Sequence, residues 1–353
     1  MITKVHLFSV SDQHTTARYF ERAMQADKLE CCYWNDRPDL RQFDEHDLLL
    51  FIDPASDWPL GVESLSCTTA AYFIDVHQGL EARLRLGKFF DLIFVAQTDY
   101  VERFEAYGHR QVHWLPLACD HVTHCQPSDE KLYDVGFVGK MGLRGTWRYE
   151  TLNAVLTNYK TNEYNRFYNP SELGKIYGES SIVFNASIGK ELNMRFFEAM
   201  ASGALLITDR IPAALGDLFV EGVHFVGYTD VMEAKQKIDY YLCHESERLK
   251  IASAGQQLAL ARHTYLHRWL TIKALSTRGE HTAMARQASR HELAVLYAEI
   301  FVDLRRPARI FRVIARYGMS LNVLLLLLKS TGRIVNTIVP LTPNAIRQRL
   351  RSS

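Results

Sequence analysis

The residues best suited to chemistry lie in one short segment, residues 191–210. Asn193 precedes an apolar helical pattern and is predicted to be the N-cap of that helix. Arg195 and Glu198 are three residues apart, so they share one face of the predicted helix. Gly203 is placed to end the helix. The segment therefore predicts a cation and a carboxylate in the first turns of a short helix.

A helix N-terminus with a nearby arginine is suited to bind a diphosphate. A carboxylate one turn later can accept hydrogen bonds from the paired hydroxyls of a ribose. Asn193, Arg195 and Glu198 therefore predict a nucleotide-diphosphate ligand, and a nucleotide sugar in particular. The alternative is a surface ion pair between Arg195 and Glu198, which would contribute only about 0.3 kcal/mol.

A second candidate group follows the strand predicted at 134–139. Gly139 permits a close approach of the backbone to a ligand. Lys140, Arg144 and Arg148 can neutralise phosphate charge. We predict that these four residues also bind the donor, and the alternative for each cation is a solvated loop.

Asp75 and His77 are the candidate catalytic residues, at the end of the strand predicted at 70–76. A strand terminus in the first half of the chain faces the predicted interdomain cleft. There His77, paired with Asp75, could act as a base or as a hydrogen-bond donor to a sugar. The alternative is a structural histidine.

Metal ligands are the next question, because many sugar-transfer sites use a metal ion. The chain has no D-x-D motif, and protein dipoles and cations can stabilise a leaving diphosphate without a metal. We therefore predict no metal site and no cofactor. Cys119, His121, His124 and Cys125 are soft ligands, but their spacing matches no standard zinc motif. We interpret 119–125 as an interdomain link.

Two sets of predicted strands, alternating with helices, must position these residues. The first set lies at 4–10, 29–34, 46–53, 70–76, 91–97 and 111–118, and the second at 134–139, 182–186, 204–208 and 224–228. Apolar strands separated by helices predict parallel sheets covered on both faces. The chain is therefore predicted to be α/β, with two doubly wound domains, 1–118 and 119–262, facing a cleft.

Charge is unevenly distributed along the chain. The net charge is only +1, so no overall field would attract nucleic acid, but residues 276–353 hold 13 Lys/Arg against 4 Asp/Glu. Arginines beside apolar residues at 305–341 predict peripheral contact with an anionic membrane. The alternative is packing against the protein body. The apolar run VLLLLL is too short to span a bilayer.

The cysteines and the N-terminus bear on the compartment. Six cysteines without a C-x-x-C pair indicate reduced thiols. The first ten residues lack the features of a signal peptide. We expect a cytoplasmic protein, with peripheral contact at the inner face of the membrane.

Several segments together resemble a known family. They are YFIDVH (72–77), FFDLIFVAQ (89–97), HWLPLACD (113–120), YDVGFVGK (133–140), SSIVFNAS (180–187), LNMRFFEAMASGALLITDR (192–210) and ARHTYLHRW (261–269). In content and order they are similar to GT-B glycosyltransferases. The resemblance is to the spore-maturation (CgeB-like) group, which has a glycosyltransferase family 1-like C-terminal domain.

This resemblance implies GT-B architecture, with two Rossmann-like domains. The first would bind the acceptor and the second the donor, while a helix at 263–280 would cross back onto the first domain. Residues 281–353 lie outside the resemblance, and their own charge and pattern predict a basic helical tail. Many retaining GT-B enzymes have two glutamates separated by seven residues, but here Lys190 occupies the first position. Only Glu198 is therefore assigned by resemblance.

The sequence thus predicts a glycosyltransferase that moves a sugar from a nucleotide-diphosphate sugar to an acceptor. The acceptor would be a cell-surface glycan, a lipid-linked glycan or a protein. Two alternatives remain open at this point. One is a nucleotide-sugar epimerase of the same fold, and the other is a non-catalytic module that binds a glycan or a partner.

Overall fold

The computed structural model describes residues 2–9, 16–34, 39–53, 58–211, 215, 218–277 and 281–338. Strands β1–β6 span Lys4–Phe8, Glu30–Trp34, Leu48–Ile52, Thr68–Phe73, Leu92–Val95 and Val112–Trp114. Strands β7–β10 span Tyr133–Gly136, Ser180–Asn185, Leu205–Asp209 and Val226–Tyr228. Each predicted strand is confirmed where the structure describes it. Val10, 278–280 and 339–353 of the predicted segments lie outside the described residues.

Helices separate most of these strands and continue to the end of the described chain. Helices α1–α7 span Thr16–Ala26, Leu80–Gly87, Val101–Ala106, His121–His124, Trp147–Leu156, Pro170–Gly178 and Met194–Ala201. Helices α8–α13 span Val231–Cys243, Glu245–Arg262, Tyr265–Ser276, Arg290–Asp303, Ile310–Tyr317 and Leu321–Ile338. Several short 3-10 turns connect them.

The first sheet has six strands in the order β2-β1-β3-β4-β5-β6, and its neighbouring strands are parallel. The strand order reverses between β1 and β3. In open parallel sheets, ligands bind at the carboxyl ends of strands beside such a reversal. Ser9 and Asp53, which follow β1 and β3, lie at that edge.

Alternation along the strands divides the first domain's apolar side chains between two cores. Leu48 and Leu50 face one core, which contains α1 and α10, while Leu49 and Phe51 face the other. Successive side chains of a strand point to opposite faces of the sheet. The central strand β3, with the sequence LLLFI, is therefore a continuous apolar run, because both faces of the sheet are covered there.

The second sheet has four parallel strands in the order β10-β9-β8-β7. Val135, Ile182, Leu205 and Val226 pack on one face against α5, α8 and α9. The carboxyl ends of β7 and β8 lead into the two loops that the sequence analysis selected for donor binding. This sheet therefore places both predicted donor-binding groups at one edge.

Helix α10 joins the second half of the chain back to α1. Trp269 Nε1 donates a hydrogen bond to Asp27 Oδ2 at 2.8 Å, and Lys273 Nζ lies 2.5 Å from the same oxygen. Arg268, which is buried, donates to the carbonyl oxygens of Pro116 and Leu117 at 2.7 and 3.0 Å. Helix α10 therefore connects the second domain to the first through hydrogen bonds and an ion pair. The exact domain bounds stay predictions.

The start of the tail is part of the first domain's core. Tyr297 and Phe301 of α11, and Val313 of α12, are fully or almost fully buried against the outer face of the first sheet. Tyr297 Oη also donates to Glu63 Oε2 at 2.6 Å and accepts from the Gly61 backbone at 2.8 Å. The tail therefore packs against the protein body over residues 290–323.

Candidate active site

A cavity of about 680 Å³ lies between the carboxyl edges of the two sheets. Residues from both domains line it. They include six of the predicted site residues, namely Asp75, His77, Arg148, Asn193, Arg195 and Glu198. The cavity therefore brings together the predicted catalytic pair and most of the predicted donor-binding residues.

Asn193 occupies the N-cap position of α7, but its side chain does not cap the helix. Its Nδ2 instead donates to Asn185 Oδ1 at 3.1 Å. The predicted N-cap position is therefore confirmed, although the Asn193 side chain makes no capping hydrogen bond to the helix. The Asn193 Oδ1 atom is buried and has no hydrogen-bond donor among the described residues.

Arg195 is fixed by three hydrogen bonds. Its guanidinium donates to Val138 O at 2.6 Å, to Asn185 Oδ1 at 2.7 Å and to Tyr177 Oη at 3.1 Å. A Cβ atom on Gly139, which has φ of +141°, would lie 2.5 Å from Arg195 Nη2. Gly139 therefore contributes by letting Arg195 approach the backbone of the turn.

Arg148 is the least satisfied cation in the cavity wall. Its Nη2 donates to Lys140 O at 2.9 Å. Its Nε and Nη1 atoms are buried and find no acceptor within the described part of the chain. Burial, together with the nearby charge of Arg195, lowers the pKa of Arg148 to about 10.

The two guanidinium groups lie over the same aromatic ring. Arg195 Cζ is 4.6 Å and Arg148 Cζ is 5.9 Å from the ring centroid of Phe137. Two like charges held this close are costly unless an anion lies between or beside them. A diphosphate would supply that negative charge and could accept hydrogen bonds from Arg148 Nε and Nη1.

Glu198 is buried at the cavity wall. Burial raises the pKa of its carboxyl to about 7, and the charge of Arg195 partly opposes that shift. Its Oε1 lies 3.7 Å from His124 Nε2. No ion pair within 4 Å joins Arg195 to Glu198 in the described chain, so the alternative of a surface ion pair is wrong for this site.

The predicted catalytic residues follow their strand rather than lie in it. Strand β4 ends at Phe73, Asp75 adopts left-handed backbone angles with φ of +40°, and His77 lies in the next 3-10 turn. His77 Nδ1 is 3.3 Å from Glu191 Oε2 in the loop before α7. The two domains therefore contact each other across the cavity through this pair.

Glu191 is a site residue that the sequence analysis did not assign. Burial raises the pKa of its carboxyl, against the charge of His77. Lys190, the residue expected at the first glutamate position, is exposed and has φ of +60°. The spacing of Glu191 and Glu198 was the sequence signal that could have identified Glu191, which directly follows Lys190 and lines the cavity.

The wall formed by the first domain is polar but largely paired. Arg83 Nε and Nη2 each lie 2.7 Å from Asp53 Oδ2. Burial raises the pKa of Asp53 to about 6, and Arg83 opposes that shift. Gln97, which is 7% exposed, lines the cavity with an Oε1 atom that has no donor among the described residues. Neither Asp53 nor Gln97 had a sequence signal beyond its position after a strand.

Lys140 and Arg144 lie outside the cavity lining. Both are exposed, and Arg144 Cζ is 6.0 Å from the ring centroid of Tyr149. Lys140 contributes its carbonyl oxygen to Arg148. Donor binding by these two side chains stays a prediction.

The soft residues at 119–125 are used in packing. The thiol of Cys119 is buried near the carbonyl oxygens of Ala259 and His263. His124 Nδ1 accepts a hydrogen bond from the Asp120 backbone at 2.9 Å, and burial lowers its pKa to about 4. Over the described ranges, no three His, Cys, Asp or Glu side chains are grouped to hold a metal ion.

Comparison with known proteins agrees with this geometry. Residues 125–274 match a family described as glycosyl transferase-like. No curated protein matches the sequence significantly.

Solved structures share the fold at low sequence identity. HepE from Anabaena, solved in complex with UDP and glucose, superposes with a TM-score of 0.55 at 12% identity, covering 78% of this chain and 100% of HepE. Sucrose-phosphate synthase from Thermosynechococcus elongatus gives 0.54 at 12% identity, with 78% and 98% covered. A glycosyltransferase from Rickettsia africae gives 0.52 at 11% identity, with 80% and 99% covered. The chain therefore has the GT-B fold, and its residues 125–274 are similar to the glycosyl transferase-like family.

Proposed function

We propose that this protein is a glycosyltransferase that binds a nucleotide-diphosphate sugar on its second domain and transfers the sugar to an acceptor held by the first. One observation carries the proposal. Arg148 lines the cavity beside Arg195, and two of its buried nitrogen atoms, Nε and Nη1, have no acceptor among the described residues. A half-buried guanidinium that lacks these acceptors is suited to bind an anionic ligand.

The donor would lie along the second-domain wall. Its diphosphate would accept hydrogen bonds from Arg148 and from the remaining N–H groups of Arg195, near the start of α7. Glu198 would accept from the ribose hydroxyls. The complexes of HepE with UDP and with UDP-glucose support a nucleotide sugar as the ligand of this fold.

In the reaction, an acceptor hydroxyl oxygen would attack the anomeric carbon as the bond from that carbon to the diphosphate oxygen breaks. His77 would take the hydroxyl proton, with Glu191 orienting its ring. The charge that develops on the diphosphate would be stabilised by Arg148 and Arg195. We propose that no metal ion or other cofactor is needed.

The acceptor would bind against Asp53, Arg83 and Gln97, whose polar groups suit a hydroxyl-rich molecule. A cell-surface glycan, a lipid-linked glycan or a protein would provide such a group. Membership of the spore-maturation group and a cytoplasmic location belong to the same proposal, supported by the motifs and by the cysteine pattern.

The test combines binding with product analysis. Calorimetry with UDP, GDP, ADP and CDP should identify one preferred diphosphate, and Arg148→Gln should weaken its binding by about 1.5–3 kcal/mol. Arg110→Gln is the matched control, because Arg110 is exposed, lies outside the cavity and is not among the predicted donor-binding residues. Its affinity should stay close to that of the unmodified protein.

Product analysis then separates the alternatives. With the matching nucleotide sugar, a glycosyltransferase should release nucleoside diphosphate and form a glycosylated acceptor. Free sugar of changed configuration would identify an epimerase instead. Tight glycan binding without turnover of any nucleotide sugar would identify a binding module.

A further inference from the structure

The last described helix, α13, has two apolar faces. Val323 is fully buried, and Leu326 and Leu327 pack against the same core as α11. The opposite face carries leucines at helical spacing of three and four residues. We call this outer row the leucine stripe, and it consists of Leu321, Leu324, Leu325 and Leu328.

The leucine stripe is open to solvent. Leu321 is 70% exposed and Leu325 is 51% exposed, and the neighbouring segments add Phe311 at 62% and Met319 at 66%. A helix whose inner face already packs on the core has no need of a second apolar face for folding. Contiguous exposed apolar surface of this kind marks an interaction site.

Charge identifies the partner. Residues 304–353 contain ten Lys/Arg and no Asp or Glu. Arg305, Arg306 and Arg312 are exposed in the segments that lead into α13, and Lys329 is exposed within it. The last carboxylates before this stretch, Glu299 and Asp303, lie 3.6 and 2.7 Å from Arg85 on α2, which pairs with both.

We propose that the leucine stripe and these exposed cations bind the surface of an anionic lipid bilayer. An amphipathic helix with leucines on one side and flanking arginines lies in the interface plane, with its apolar face among the acyl chains. Within the described residues, no helix is long and apolar enough to cross a bilayer. The contact is therefore peripheral.

The placement of α13 gives this contact a consequence. Helices α11 and α12, to which α13 is joined, form part of the first domain's core. The first domain is the proposed acceptor domain, so binding would hold the acceptor domain at the membrane surface. This consequence rests on the proposed function, whereas the lipid contact itself does not.

The experiment is co-sedimentation of the full chain with vesicles, without any nucleotide sugar. The protein should sediment with mixed phosphatidylcholine and phosphatidylglycerol vesicles, and much less with phosphatidylcholine alone. High salt should release it, because the screening length falls to about 3 Å at 1 M. Failure to bind the anionic vesicles would overturn the proposal.

Two sets of variants test the two parts of the surface. Substituting Arg305, Arg306 and Arg312 with Gln should lower the affinity for anionic vesicles about 100-fold. Each arginine near such a surface raises that affinity about fivefold. Leu321→Gln with Leu325→Gln should weaken it by at least about tenfold. Each substituted side chain is exposed, so the melting temperature should stay unchanged.

Matched controls remove the same groups elsewhere. Arg110, Lys160 and Lys250 are exposed cations away from the tail, and Phe167 with Met232 are exposed apolar residues of the second domain. Substituting either control set with Gln should leave vesicle binding unchanged. Equal losses in controls and tail variants would show unspecific charge or apolar binding and overturn the assignment.

A second copy of the chain is the other occupant that the test must detect. Light scattering at increasing protein concentration should find no self-association that depends on Leu321 and Leu325. A dimer that dissociates in the leucine variant would assign the stripe to self-association and overturn the lipid contact. Transfer to a water-soluble acceptor would be unaffected by either result, so failure here is distinguishable from failure of the proposed function.

Discussion

The two walls of the cavity use buried charge in different ways. On the second-domain wall, Arg148 and Arg195 lie over one aromatic ring, and neither has a carboxylate partner within 4 Å among the described residues. On the first-domain wall, Arg83 is paired with Asp53 at 2.7 Å. The same residue type is thus unneutralised on one wall and neutralised on the other.

This difference indicates that the arginines of the second-domain wall bind a ligand, whereas Arg83 of the first-domain wall holds the structure in place. In a buried ion pair each charge neutralises the other, and the pair holds its two structural elements in place. A half-buried cation without a carboxylate partner is better stabilised when an anion binds beside it. The second-domain wall is therefore suited to a diphosphate, and the first-domain wall to a neutral, hydroxyl-rich molecule.

Removing His77 should have the largest effect, and it tests whether the first-domain wall does chemistry. We expect His77→Ala to lower kcat by about 100-fold or more, since a proton acceptor is lost. The dissociation constant of the nucleoside diphosphate should change little. His46→Ala, an exposed histidine outside the cavity, is the control. An unchanged kcat in the His77 variant would leave His77 with a structural role only.

The buried carboxyl of Glu198 should make stability depend on pH. Below pH 4.5 the carboxyl is protonated in both the folded and the unfolded chain. In this range Glu198 does not reduce the free energy of unfolding. As the pH rises through about 7, the unfolded chain releases the proton more readily, so stability is lost. Glu198→Gln should therefore be more stable than the unmodified protein at pH 8, by on the order of 3 kcal/mol.

Denaturant unfolding of both proteins at pH 5 and pH 8 measures this difference. His124 and Arg195 face Glu198, so the difference between the two proteins measures the carboxyl together with its interactions with these two groups. Equal stability of the two proteins at both pH values would contradict the raised pKa. Calorimetry on the same variant should show weaker donor binding at pH 8, where the unmodified carboxylate is ionised.

Gly139→Ala tests the position of Arg195 on the second-domain wall. The added Cβ would lie 2.5 Å from Arg195 Nη2, so the guanidinium must shift. We expect the affinity for nucleoside diphosphate to fall about tenfold. Gly145→Ala is the matched control, because Gly145 also has a left-handed φ, of +82°, but no atom within 4 Å of its Cβ position.

Both glycine substitutions should cost stability through backbone strain, by about 1–3 kcal/mol. Only Gly139→Ala should also weaken donor binding. If both variants bind the diphosphate equally well, the contact between Gly139 and Arg195 has no part in the donor site.

Chelation should have the smallest effect. If Arg148 and Arg195 neutralise the diphosphate, excess EDTA should leave the transfer rate unchanged. Rates of sugar transfer before and after chelation measure this directly. Loss of activity that is restored by Mn²⁺ or Mg²⁺ would instead require a metal-bridged diphosphate.

Much of the fold could be predicted from the sequence, because local patterns determined it. The apolar runs predicted the strands, since a strand buried on both faces carries few polar residues. Gly203 was predicted to end α7, and it does so with φ of +80°. The predicted donor segment supplied Arg195 and Glu198, both of which line the cavity.

Contacts between distant segments decided the rest. Asn185, Tyr177 and Val138 share the hydrogen bonds of Arg195, although they lie 10, 18 and 57 residues from it. No local pattern predicts such partners. The same holds for Glu191, whose meeting with His77 depends on how the two domains face each other.

The tail shows the same division. Its composition by itself determined a basic, apolar and helical segment, because charge and periodicity are local properties of the sequence. Tertiary structure decided which apolar residues are used in folding: Tyr297 and Val323 are fully buried, whereas Leu321 is exposed. The physical reason is that a helix can bury only the face that meets the sheet or its covering helices, and that face is set by packing against residues far away in the chain.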